Sequence, residues 1–158
     1  MGNILRGDDG FGIRVVAKLS EISELPAGVE IYEAGIGGIA LVQELMNGYD
    51  ALIIVDAVEK GAEPGSLFVL EPLTPDTKQL DAPDAMDLHQ SMADAHFTEP
   101  AKVLLLARAL DVCPPKVLLV GCQPACVEDL VERLDPAVER AVPLAVERIL
   151  ALIEELKL

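Results

Sequence analysis

Basic residues are scarce in this chain: 12 Lys and Arg stand against 27 Asp and Glu, a formal net charge of −15. A duplex-binding surface needs clustered cations to neutralise phosphates, and this sequence has no such cluster. Anionic membrane surfaces are disfavoured on the same ground. No apolar run approaches the roughly 18 residues that a membrane span needs. Arg6, Asp8 and Asp9 stand where the apolar stretch of a signal peptide would begin. Three cysteines do not make a disulfide framework. The expectation is a soluble cytoplasmic protein with reduced thiols, without nucleic-acid or membrane partners. Three catalytic signatures are also missing: G-x-S-x-G, H-E-x-x-H and the Walker A lysine pattern.

What is present is 158 residues that are 51% hydrophobic, with a positive mean hydropathy of +0.37. Those values exclude a disordered tail and predict one domain over 1–158. Phe11, Val15, Leu19 and Ile22 recur on one helix face, and Pro26-Ala27-Gly28 closes that segment. Val29 to Tyr32 reads as a short strand, followed by the glycine loop Gly35-Ile36-Gly37-Gly38 and a helix from Ile39 to Met46. Ala51 to Val55 is a continuous apolar run that ends in Asp56, which suits a strand covered on both faces. Ser66 to Leu70 reads as a strand lying antiparallel to its neighbour, because the link from Asp56 is too short for a parallel crossover. Thr74 to Glu99 is polar and irregular, and long loops in compact domains are often functional. A helix from Pro100 to Leu110, a strand from Val117 to Val120 and a long helix from Pro136 to Leu158 complete the chain. The last helix carries Val138, Val142, Ala145, Ile149 and Ile153 on one face. Alternating strands and helices predict an α/β fold: a three-layer sandwich with a twisted, mostly parallel sheet. Ligands of such sheets bind beyond the carboxyl ends of the strands.

Asp56 is the most informative position, because a carboxylate at the end of a buried strand needs a compensating metal, cation or set of backbone donors. A turn cap at a strand end is the simpler alternative. Asp8 reads as an N-cap of the first helix and Asp9 as a dipole-favoured residue of its first turn, although one of the two acids can point outward to a ligand. Both histidines, His89 and His96, fall in the irregular stretch. Two carboxylates and an imidazole from three separate loops would form a metal site with open positions, suited to ligand exchange. Cys122 and Cys126 are four apart and compatible with one helix face, but with no histidine nearby they read as buried or surface thiols; Cys113 reads as a loop thiol. The glycine loop lacks G-x-G-x-x-G and is a weak phosphate-binding signal.

The opening GNILRGDDGFGIRVV resembles that of the hydrogenase maturation endopeptidases, in which G-N-x-L-x-x-D-[DE]-x-x-G precedes an amphipathic helix; Gly2, Asn3, Leu5, Asp8, Asp9 and Gly12 fit. LIIVDAV, DAHFTEPAKVLLLARAL and KVLLVGCQPA resemble the family's later motifs, in the family's order and across most of the chain. The resemblance implies an aspartic-type, nickel-dependent endopeptidase. Its substrate would be the nickel-loaded large-subunit precursor of a nickel–iron hydrogenase, from which it removes the C-terminal peptide. It further implies that Asp9, Asp56 and His96 are the catalytic and nickel-binding residues, with the nickel carried by the precursor. His96 lies seven residues before Val103, which matches the family spacing; His89 lies further upstream. A non-catalytic factor that binds nickel or precursor is the alternative. Family members carry a central apolar strand before the G-N, whereas only Met1 precedes Gly2 here. The resemblance therefore implies a fold without its usual first strand, or one in which another segment fills the gap.

Overall fold

The computed structural model describes residues 1–72, 100–127 and 130–156. A single 3-10 turn, Gly7–Gly10, leads into α1, Phe11–Ser20. There follow α2 (Gly38–Leu45), β1 (Ala51–Ala57), β2 (Leu67–Leu70), α3 (Pro100–Ala109), β3 (Lys116–Cys122) and α4 (Pro136–Glu155). The strands form a sheet in the order β1-β3-β2. β1 runs parallel to β3 in the register Ala51 to Lys116 through Ala57 to Cys122. β2 is antiparallel, as expected, but it pairs with β3 and not with β1, the strand it follows in the chain and was expected to lie beside. Among the described residues the sheet is thus mixed, with one parallel and one antiparallel pairing, in place of the mostly parallel sheet expected.

Alternation along the two parallel strands sends successive side chains into two different cores. Val55, Leu118 and Val120 join Phe11, Val15 and Leu19 of α1 and the Val138–Leu152 face of α4. Ile54, Val117 and Leu119 point the other way, onto α2 and α3, where Leu41, Leu45, Val103 and Leu104 are buried. Helices cover both faces, which is why β1 and β3 read as uninterrupted apolar runs. Asp135 caps α4, accepting from the Ala137 N–H at 2.7 Å, and Pro136 occupies the first turn, where its missing N–H is harmless.

Val29 to Tyr32 is not a strand. A strand needs a hydrogen-bonded neighbour, and across from this segment the outer edge of β1 carries no strand among the described residues. Between them lies a cavity of 590 Å³, lined by Val29, Ile31, Leu52 and Ile54 and closed by helix residues such as Leu19 and Leu45. Met1 and Gly2 lie at one end of this slot: the Met1 amino group donates to the Val55 carbonyl, and the Gly2 N–H donates to the Gly35 carbonyl at 3.1 Å. Successive donors thus face opposite walls, the pattern of an interior strand.

Two glycines admit this close approach. Gly2 has φ +119°, and a Cβ there would lie 1.9 Å from the Asp9 carbonyl oxygen. A Cβ at Gly12 would lie 2.4 Å from the Val55 carbonyl oxygen. Gly12→Ala is expected to cost about 1–3 kcal/mol or more, because the obstacle is strand backbone and cannot rotate away. A urea titration that left the midpoint unchanged would contradict this packing.

Candidate functional site

The site forms at the carboxyl end of β1, where the strand, the 3-10 turn and the Met1-Gly2-Asn3 segment meet. Asp56 ends the apolar run and is only 6% exposed, paired in register with Gly121. Its carboxylate accepts from the following Ala57 N–H at 3.0 Å. Burial pushes the Asp56 carboxyl up to about 6; the Met1 amino group opposes that rise, the Asp9 charge adds to it, and the Ala57 N–H opposes it slightly. Asp9 lies in the 3-10 turn and accepts from the Asn3 N–H at 2.9 Å. Gly2 borders both acids: the Cβ position that meets the Asp9 carbonyl is 3.6 Å from Asp56 Oδ1. The Met1 amino group is buried among the charges of Asp56, Asp9 and Glu33, and burial pulls it below its ordinary value of 8.0.

Asp9 and Asp56, singled out separately in the sequence, are therefore brought together. His89 and His96 lie outside the described residues. Among the described residues no group of three His, Cys, Asp or Glu side chains converges on one metal position. The described part of the site is a pair of oxygen donors, one of them buried, a donor set that fits a divalent cation.

Asp8 does not act as expected. The N-cap of α1 is Gly10, no side chain caps the helix, and its first turn holds no acid. Asp8 is instead 2% exposed, and its carboxylate accepts from three distant backbone N–H groups: Ala125 at 2.7 Å, Cys126 at 3.1 Å and Asp135 at 2.7 Å. Buried amide donors satisfy it more fully than one helix terminus would.

Gln123 went unnoticed in the sequence, where a lone amide beside a proline gives no periodic signal. It is 3% exposed and uses its amide fully. Oε1 accepts from the N–H groups of Lys60 and Ala62, and Nε2 donates to Glu59 and to the Pro124 carbonyl. It thereby fastens the loop that leaves Asp56 to the end of β3. Cys122 and Cys126 do not share a helix: the first is buried at the end of β3 and the second is exposed in the loop beyond. The Cys122 thiol, pushed up to about 11 chiefly by burial and then by the Asp8 charge, stays protonated near neutral pH.

Asp56 also sets a stability trend. A carboxyl raised on folding favours the folded state while protonated; that contribution is complete below 3.8 and lost as the pH rises through about 6. The melting temperature of Asp56→Asn minus that of the parent is therefore expected to increase from pH 4 to pH 7. Thermal melts at each pH check this, and a difference that stays flat would contradict it.

With helices on both faces of the sheet, the chain is a three-layer α/β domain that places two acids at the carboxyl end of β1. The sequence profile of the hydrogenase maturation protease family matches residues 13–152, and the chain belongs to that family. It is similar to the hydrogenase expression/formation protein HupD of Rhizobium leguminosarum bv. viciae, with 36% identity over 93% of this chain and 68% of that protein. HupD of Rhodobacter capsulatus is 34% identical over 92% of this chain, which spans 65% of its length. The hydrogenase maturating endopeptidase HybD of Escherichia coli superposes with a TM-score of 0.74 at 32% identity, covering 98% of this chain and 88% of that one. The chain thus spans about two thirds of the length of these HupD relatives and nearly all of the HybD fold. No helix among the described residues is long and apolar enough to cross a membrane.

Proposed function

We propose that this protein is the endopeptidase that removes the C-terminal peptide from a nickel-loaded hydrogenase large-subunit precursor. The observation that carries the reading is the meeting of Asp9 with the buried Asp56 at the carboxyl edge of the sheet. Family membership supports it, as does HybD, a hydrogenase maturating endopeptidase of the same fold. The Cys122 thiol is buried and protonated, which argues against it as a nucleophile, and the family resemblance implies attack by water. Asp9, Asp56 and His96 bind the nickel that arrives with the precursor. Held there, nickel would mark a loaded substrate and would supply Lewis acidity at the scissile carbonyl. The carboxylate form of Asp56 is the working form, so cleavage rises as the pH passes through about 6 and levels off above it. This pH dependence runs opposite to the stability contribution of the same group. In this reading the protein works in the cytoplasm.

The test is incubation with the cognate precursor, with and without nickel, followed by mass spectrometry. Loss of the C-terminal peptide from the nickel-loaded precursor alone is expected. Binding without any decrease in mass would refute the enzyme reading in favour of a non-catalytic maturation factor. Equal cleavage without nickel would refute the metal's role.

A further inference from the structure

We propose that Asp8 is a positioning residue: it pins the 3-10 turn to the backbone of Ala125, Cys126 and Asp135 and so aims the Asp9 carboxylate at Asp56. The 3-10 turn has only four residues, Gly7–Gly10, and is tied to that backbone from one side. Besides the three N–H groups bound by the Asp8 carboxylate, the Asp8 N–H donates to the Cys126 carbonyl at 3.1 Å and the Gly7 N–H to the Val131 carbonyl at 2.8 Å. Five hydrogen bonds thus converge on two consecutive residues. With about three residues per turn, successive 3-10 side chains diverge by roughly 120°. With Asp8 directed at that backbone, Asp9 is directed away from it, toward Asn3, Gly2 and β1. The Asn3 N–H bond is the visible result of that aim. Among the described residues the Asp9 carboxylate has that one hydrogen bond, so within them its direction is set largely by the anchored neighbour.

The inference rests on the endopeptidase reading for its kinetic consequence but not for its structural one. Asp8→Asn keeps the size of the side chain and replaces one acceptor oxygen by an NH₂ that meets backbone N–H donors. Two readouts follow. In the proton–nitrogen spectrum, the Asn3 amide proton moves upfield in Asp8→Asn, toward its position in Asp9→Ala. In precursor cleavage at a temperature where the variant is folded, kcat falls roughly 10- to 100-fold, the scale of a misplaced reacting group. KM stays within about twofold, and Asp8→Asn adds nothing further in an Asp9→Asn background. A purely architectural role lowers the melting temperature and leaves the Asn3 amide unmoved; that result overturns the proposal. An additive kinetic loss in the double variant overturns it as well. If Asp8→Asn does not fold, Asp8→Glu retains the charge, shifts the anchor by one methylene and carries the same readouts. Should the parent protein cleave no precursor, the endopeptidase reading fails, while the Asn3 amide still decides the positioning role.

Discussion

Asp56→Asn is expected to lower precursor cleavage by about two to four orders of magnitude while leaving the protein folded. The substitution preserves shape and removes charge. It deletes the group that, in the proposed mechanism, serves as nickel ligand and takes on negative charge as the pH passes about 6. Fold loss is not expected, because the Asp56 carboxylate costs stability where it is ionised: burial is the largest influence on it. The Ala57 N–H keeps a carbonyl acceptor in the amide. Activity and stability should therefore move in opposite directions above pH 6. Single-turnover cleavage and thermal melts on the same sample measure both. An Asp56→Asn protein that cleaves within about tenfold of the parent rate would remove Asp56 from the chemistry.

The second large effect concerns the slot beside β1. An extended segment of five apolar residues fused ahead of Met1 is expected to raise the melting temperature by roughly 5–15 °C. Its direction is dictated by the Met1 and Gly2 donors, which face the Val55 and Gly35 carbonyls; a segment entering there runs parallel to β1. Leu19 and Ile149 line the slot on one side and Leu41 and Leu45 on the other, with Glu30, Glu44 and Asp50 also on its lining, so apolar side chains of the segment would find apolar partners from both helix layers. Burial at about 1.5–3 kcal/mol per side chain exceeds the backbone ordering cost of about 1–2 kcal/mol per residue by a few kcal/mol in all. A control segment with Asp at alternate positions should give no gain. If the apolar segment gives no rise, the 590 Å³ cavity is not a strand site.

The parts of the fold that were legible in the sequence are those governed by periodicity. β1 and β3 announce themselves as apolar runs because both faces are covered, and α1 and α4 as apolar stripes because one face is buried. Asp56 was legible because a charge at the end of such a run is anomalous. Val29 to Tyr32 was misread because composition reports a preference for extended backbone but not the presence of a partner edge. Asp8 was misread because its partners are 117 to 127 residues away, and a local rule finds a helix N-terminus first. Gln123 was invisible for the same reason: the groups bound by its amide across the sheet lie 61 to 64 residues upstream. A site of two acids and an imidazole was conceivable from residue types alone, but the choice of Asp9 over Asp8 as the partner of Asp56 came from motif resemblance. The choice of His96 over His89 still rests on spacing alone.

The most direct test is the mass of the nickel-loaded cognate precursor after incubation with the parent protein and with Asp9→Ala, Asp56→Ala, His96→Ala and His89→Ala. One metal position shared by two acids and one imidazole predicts that the parent and His89→Ala release the C-terminal peptide while the other three, folded, leave it attached. Full processing by Asp9→Ala, Asp56→Ala or His96→Ala would contradict the shared site.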